Sequence, residues 1–273
     1  MQDTFTNQKS HAFDLESGKR FAFGDNWAHF LKRLDEGRIV DAEASLKAML
    51  GVSDLRGKSF LDAGSGSGLS SLAARRLGAA VHSFDYDPQS VACTKQLRQH
   101  YFADDAQWTI EEASVLDPAY LARLGTFDVV YSWGVLHHTG QMWAALGHVA
   151  GLVAPGGHLF VAIYNDQGWV SRYWMAVKQA YVGHRALRWP PLLLHAPYLF
   201  ALRWLLRAVV GRRKVGRGMA LWHDMVDWVG GYPFEVARPE TILRFYRDRG
   251  FTLNEMTTCG GRLGCNELVF LRR

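Results

Sequence analysis

Residues able to do chemistry gather at two places in this chain. The first is Leu61-Asp62-Ala63-Gly64-Ser65-Gly66-Ser67-Gly68, which follows a short apolar segment and opens a helical one. Glycine lets the backbone take open dihedrals and come close to a ligand. The free N–H groups of a helix start then face that ligand, which favours a nucleotide-like molecule. A dinucleotide fingerprint needs Gly or Ala three residues after its second glycine. Leu69 stands there instead, the third glycine is Gly68, and Asp62 sits two residues before Gly64. An acid at a strand end suits the ammonium group of a methionine moiety and repels a pyrophosphate. About twenty residues beyond the glycines, where a strand-end carboxylate can accept both ribose hydroxyls, stands Ser83-Phe84-Asp85-Tyr86-Asp87-Pro88. Asp85 directly follows the apolar run and is the candidate; Asp87 precedes Pro88 and reads as a helix cap.

The second place is Gly134-Val135-Leu136-His137-His138-Thr139. Histidine is the natural proton acceptor near neutral pH, so His138, and behind it His137, are candidate general bases. Packing or helix capping is the alternative role. Tyr164 and Asn165 follow a later strand and are candidate substrate contacts at the mouth of the site. So are His223, Asp227 and Tyr232, from an aromatic stretch further on. His223 and Asp227 lie four apart on one face if helical; an ion pair accounts for them better than a metal site, and no metal is expected.

The elements that must position these residues alternate regularly. Short apolar runs at Ser59–Leu61, Ala80–Phe84, Gln107–Glu111, Phe127–Ser132 and His158–Tyr164 read as strands. Helical patterns separate them at Leu69–Leu77, Pro88–Tyr101 and Met142–Val153. Such alternation predicts an α/β fold, a doubly wound parallel sheet with helices on both faces. Pro239–Arg249 reads as an amphipathic helix and Phe251–Met256 and Glu267–Leu271 as closing strands. Between Asn26 and Leu50 two short helices are expected, broken near Gly37. Three regions follow: an N-terminal arm with helices at 1–50, expected to act as a lid; a core at 51–165 and 238–273; and an inserted helical cap at 166–237, expected to set specificity.

Composition narrows the class. The chain has 273 residues, 48% of them hydrophobic and 21% charged, enough for one substantial core and too apolar for a disordered protein. A net charge of +5 is mild, and nucleic acid is not the expected partner. Three cysteines, an odd and sparse set without paired spacing, argue against a disulfide framework or zinc site. The first residues lack a basic region followed by an apolar stretch, so no leader and a cytoplasmic location are expected. Residues 189–214 mix aliphatics with Arg203, Arg207 and a basic run, too charged to span a membrane but a candidate for peripheral membrane contact. The oligomeric state, monomer or dimer, is left open.

With Leu61–Gly68, Phe84–Pro88, Phe127-Asp128-Val129-Val130 and Leu152-Val153-Ala154-Pro155-Gly156-Gly157 in this order, the chain resembles the class I S-adenosylmethionine-dependent methyltransferases over roughly residues 55–165, and loosely over 239–271. The resemblance implies a seven-stranded sheet in the order 3-2-1-4-5-7-6 with the last strand antiparallel. It implies S-adenosyl-L-methionine as cofactor and S-adenosyl-L-homocysteine as its product. Asp62, Gly64, Ser65, Gly66 and Gly68 match the methionine-binding loop, and Asp85 the ribose acid, with Tyr86 beside the adenine. Ser114 and Val115 match the adenine segment, where the family more often has Gly-Asp. Ser132 and Trp133 match residues lining the cofactor after strand four. A similar stretch in the quinone-type and related small-molecule methyltransferases ends in one His, aligned with His138. The implied activity is methyl transfer to oxygen or nitrogen of a small-molecule acceptor, with a lipid-like or quinone acceptor at a membrane surface as the alternative and RNA or protein a more remote one.

Overall fold

A computed structural model describes residues 11–183, 190–195 and 228–273. Its centre is one seven-stranded sheet: β1 Ser59–Ala63, β2 Ala80–Asp85, β3 Trp108–Glu112, β4 Phe127–Trp133, β5 Val153–Tyr164, β6 Phe251–Thr257 and β7 Cys265–Arg272. The order is β3-β2-β1-β4-β5-β7-β6. The first five strands run parallel and β7 is antiparallel to both β5 and β6, as expected.

Strand residues alternate between two cores, because successive side chains leave a strand on opposite faces. Leu61, Val130, Leu159, Val161 and Phe270 face one core. It is covered by α5 (Pro118–Leu124), α6 (Met142–Gly151) and α8 (Pro239–Arg247) through Tyr120, Leu146, Ile242 and Tyr246. Phe60, Val129, Tyr131, Phe160 and Val269 face the other. That face is covered by α2 (Glu36–Leu50), α3 (Leu69–Arg76) and α4 (Pro88–Tyr101) through Ile39, Leu46, Leu72 and Leu97. A helix α1 (Phe23–Leu31) precedes these, and α7 (Trp169–Gly183) opens a helical insertion after β5.

Four local expectations are corrected. The break between the N-terminal helices falls at Lys32–Asp35, not Gly37, because Asp35 accepts the Arg38 N–H and caps α2, leaving Gly37 inside its first turn. The helix over Pro118–Leu124 went unread although Asp117 caps it ahead of Pro118. Helix α6 stops at Gly151, and β5 begins at Val153 rather than His158, with a register shift between Phe127 and Val129 where the proline-glycine stretch joins the sheet edge. Helix α8 ends at Arg247, two residues early, with Asp248 as its C-cap. Among the described residues no helix is long and apolar enough to cross a membrane.

Candidate functional site

The glycine turn leaves the carboxyl end of β1, an interior strand between β2 and β4. Gly64, Gly66 and Gly68 have φ of +91°, +54° and +81°, conformations that other L-residues adopt only with strain. The turn is also tight against its surroundings. A Cβ on Gly64 would lie 2.4 Å from the Val135 side chain, and one on Gly68 2.9 Å from Thr94. The Gly64 and Ser65 N–H groups donate to the Phe84 carbonyl at 2.9 and 3.1 Å, tying the turn to the end of β2.

Two acids flank the turn, Asp62 buried and Asp85 partly buried. Asp62 ends inside the sheet, 1% exposed, and its Oδ2 accepts the Ser71 hydroxyl at 2.5 Å. Ser71 in turn shares a hydrogen bond of 2.7 Å with Ser83, which also accepts the Trp108 indole N–H. Burial pushes the Asp62 carboxyl up to about 7, against the Ser71 bond, with the Asp85 charge adding to the rise. Asp85 Oδ2 accepts the Gly66 N–H at 2.8 Å and Oδ1 the Asp87 N–H at 2.9 Å. Burial raises it to about 6 against those two bonds. A carboxylate has about four lone-pair positions, so each oxygen keeps one for a ligand while the same group fixes the turn. Asp87 caps α4 through Gln89 N–H and also accepts Gly24 N–H from the arm at 2.8 Å.

These groups line a cleft of about 1080 Å³. The arm and α1 roof it with Phe23, Trp27 and Phe30, and Trp27 lies 3.1 Å from where a Gly66 Cβ would stand. Arg20 packs over the Tyr86 ring at 4.9 Å and donates to the His138 carbonyl at 3.2 Å. Ser65, Tyr86, Ser114, Val115 and Trp133 line the same cleft.

His138 borders it too, on a short turn at Leu136–His138. Its Nδ1 lies 2.6 Å from the Pro233 carbonyl, which can only accept, so Nδ1 carries the proton and Nε2 is the basic nitrogen. Phe23 packs on the ring at 4.7 Å. The end of the insertion clamps this turn further. Glu235 N–H donates to the His137 carbonyl, and its carboxylate accepts Met142 N–H at the start of α6. Tyr232 contributes its carbonyl, which accepts Phe21 N–H from the arm at 2.9 Å.

Several sequence candidates are placed elsewhere. Ser132 is buried and donates to the Ala63 carbonyl at 2.7 Å, on the face opposite Trp133. His137 is fully buried, its ring 3.9 Å from that of Tyr164 and its Nδ1 accepting Tyr164 N–H at 3.3 Å. Tyr164 packs in an aromatic cluster with Trp228 and Phe234, and Asn165 accepts from Asn266; neither is in the lining of the cleft. His223, Asp227 and residues 196–214 lie outside the described residues. Conversely, the lining includes Arg38 and Ser45 of α2 and Glu267 of β7, which sequence reasoning missed. Glu267 carried one signal: an acid heading the apolar run Leu268-Val269-Phe270.

Residues 61–159 match the model of a methyltransferase domain family. Over 112 residues, 41% of this chain, the sequence is 37% identical to a ubiquinone biosynthesis O-methyltransferase of Xanthomonas oryzae pv. oryzae, covering 45% of that protein. A ubiquinone biosynthesis O-methyltransferase of a Bradyrhizobium strain is 33% identical over 52% of this chain and 51% of its own length. The matches thus span about half the length of these curated relatives. Among solved structures, magnesium protoporphyrin IX methyltransferase of Synechocystis PCC 6803, with its methyl donor bound, is similar in fold with a TM-score of 0.56 at 16% identity, over 98% of this chain and 97% of that one. An O-methyltransferase family protein of Burkholderia thailandensis gives 0.55 at 18% identity, over 98% and 68%. Sheet order, glycine turn and matched domain agree: residues 61–159 match a methyltransferase domain, and the chain has the fold of solved methyltransferases.

Proposed function

We propose that this protein transfers a methyl group from S-adenosyl-L-methionine to oxygen or nitrogen of a small-molecule acceptor. The observation that carries this reading is the pairing of two carboxylates, the buried Asp62 and the partly buried Asp85, on either side of a strained glycine turn that a Cβ would fill. Asp62 would hold the ammonium group and Asp85 the ribose hydroxyls, with Tyr86, Ser114 and Val115 around the adenine. The bound donor supplies a methyl already activated on a sulfonium. The protein's own share is alignment and exclusion of water, which the aromatic roof of Phe23, Trp27 and Phe30 serves. His138 Nε2, set by the Pro233 carbonyl, takes the proton of the acceptor hydroxyl or amine.

In this reading residues 1–50 act as the lid and 166–237 as the cap. Titration calorimetry with S-adenosyl-L-homocysteine tests the assignment. Binding to the wild type and a large loss in Asp85→Ala are expected; no binding, or an unchanged Asp85→Ala, overturns it.

A lipid-like or quinone acceptor is the second reading. Its supporting observations are the exposed Trp169, Leu193 and Leu194 on the insertion and the quinone pathway named for the matched relatives. Flotation with anionic liposomes decides it: protein that stays with the unbound fraction removes the membrane version.

A further inference from the structure

The cleft extends past Asp62, Asp85, Tyr86, Ser114 and Val115, and Trp133, matched above to the cofactor lining, stands where it continues. One wall beyond them is α2, with Arg38, Asp41 and Ser45; the other is the carboxyl edge of the sheet, with Tyr131, Trp133 and Glu267. Trp133 ends β4 and Glu267 lies near the start of β7, and the two meet: Trp133 Nε1 donates to Glu267 Oε1 at 2.8 Å. Strand alternation puts them on the α2 face, with Tyr131 and Val269. Tyr131 is fixed by Ser70, whose hydroxyl donates to its phenol at 3.1 Å.

This pair is built for holding something. An indole has one N–H to give, whereas a carboxylate accepts about four hydrogen bonds. Trp133 therefore orients Glu267 without saturating it. The aromatic faces beside it suit a planar group. The charges nearby point the same way. Among the described lining residues the guanidiniums are Arg20, which serves His138 and Tyr86, and Arg38, which pairs with Asp35 at 3.3 Å. An acceptor carrying its own carboxylate or phosphate beside Glu267 would set two like charges side by side in one pocket, a strong means of rejection.

We propose that Glu267, held by Trp133, anchors the methyl acceptor. It accepts a hydrogen bond from a hydroxyl or amino group of a planar, neutral or cationic acceptor, and it turns away acceptors that carry an anionic group on that side. The proposal rests on the methyltransferase reading and adds the class of acceptor to it. Glu267 is a specificity residue, distinct from the proton acceptor His138.

The test uses three matched probes, catechol, dopamine and 3,4-dihydroxybenzoate, titrated by calorimetry into the full chain saturated with S-adenosyl-L-homocysteine. Wild type binds catechol and dopamine at least ~10-fold more tightly than the benzoate, the scale of a hydrogen bond to a charged group. Glu267→Gln keeps shape and homocysteine-product binding but brings the three within ~2-fold of one another, because only the charge has gone. Trp133→Phe, which keeps the wall and removes the N–H, shrinks the preference to an intermediate ratio. An undiminished preference in Glu267→Gln overturns the proposal. So does a wild type that binds the product nucleoside and none of the probes. A wild type that fails to bind the product nucleoside instead overturns the methyltransferase reading itself.

Discussion

Cofactor binding is predicted to depend on pH through Asp62. Burial raises its carboxyl to about 7, well above the 3.8 of an exposed aspartate. At pH 6 roughly nine-tenths of the free protein then holds a proton on this group. An ammonium ligand requires the anion, so the proton must leave on binding. The apparent affinity for S-adenosyl-L-homocysteine therefore falls about 10-fold per pH unit below about 7, or ~1.4 kcal/mol each, and levels off above it. Titration calorimetry in two buffers of different ionisation enthalpy counts the protons released: roughly 0.9 from Asp62 at pH 6, with about half a proton more from Asp85, and roughly 0.1 in all at pH 8. Asp62→Asn should bind weakly at every pH and lose the slope. The stability of the free protein gives the opposite sign. Between 3.8 and about 7 the native state holds a proton that the unfolded chain has lost, so stability falls as pH rises through that window. Asp85, raised to about 6, adds to the same trend in the lower part of the window. Thermal melts should show wild type losing stability relative to Asp62→Asn from pH 5 to 8. A wild-type affinity that is flat from pH 6 to 8, or a slope that survives in Asp62→Asn, refutes this account.

Other outcomes follow from the same geometry. His138→Ala should lower kcat by about 10²- to 10⁴-fold, the usual worth of a positioned base, while calorimetry finds product binding nearly unchanged. Gly64→Ala should cost about 1–2 kcal/mol from its φ alone, plus the clash with Val135; denaturant unfolding of Gly64→Ala/Val135→Ala should recover the clash and not the backbone strain. Glu235→Ala uncaps α6 and releases the His137–His138 turn, with an expected loss of about 1 kcal/mol in unfolding free energy and a fall in kcat at unchanged product affinity.

The parts of the site legible in the sequence are those whose partners lie close along the chain. Asp62, the glycines and Asp85 announce themselves because one strand–turn–helix unit and the next strand hold them all. The arrangement of His138 was half legible: its type and place suggested a base, but the carbonyl that fixes its tautomer comes from Pro233, 95 residues on. Ser132 and Trp133 show what a motif match overlooks. Adjacent strand residues face opposite ways, so only one of them can look into the cleft, and the apolar run Val129-Val130-Tyr131 before them, buried on both faces, does not say which. Tyr164 has the right position at a strand end, yet its ring is drawn into the aromatic cluster of Trp228 and Phe234, a long-range packing choice that no local pattern encodes. The α2 wall was not legible, because the polar side of that helix gives no local sign of facing a cleft rather than solvent.

The reversed strand β7 has a further consequence. In a parallel sheet every strand presents its exit to the carboxyl edge, so the loops that shape the rim all follow their strands. β7 presents its beginning instead, with Ala162 opposite Glu267 and Tyr164 opposite Cys265. The rim beside Glu267 is therefore shaped by the loop at 258–264, upstream of the residue it serves. That loop is anchored at its far end by Asn165 N–H donating to the Gly264 carbonyl at 2.9 Å and by Gln167 donating to Gly261 at 2.6 Å. Gly260, Gly261 and Gly264 sit in it at positive φ. Lengthening or shortening it would redraw the rim of the sheet beside Glu267 while leaving the register of every strand in place, which makes this hairpin the point at which relatives of one fold can diverge with least disturbance to the glycine turn at the other end.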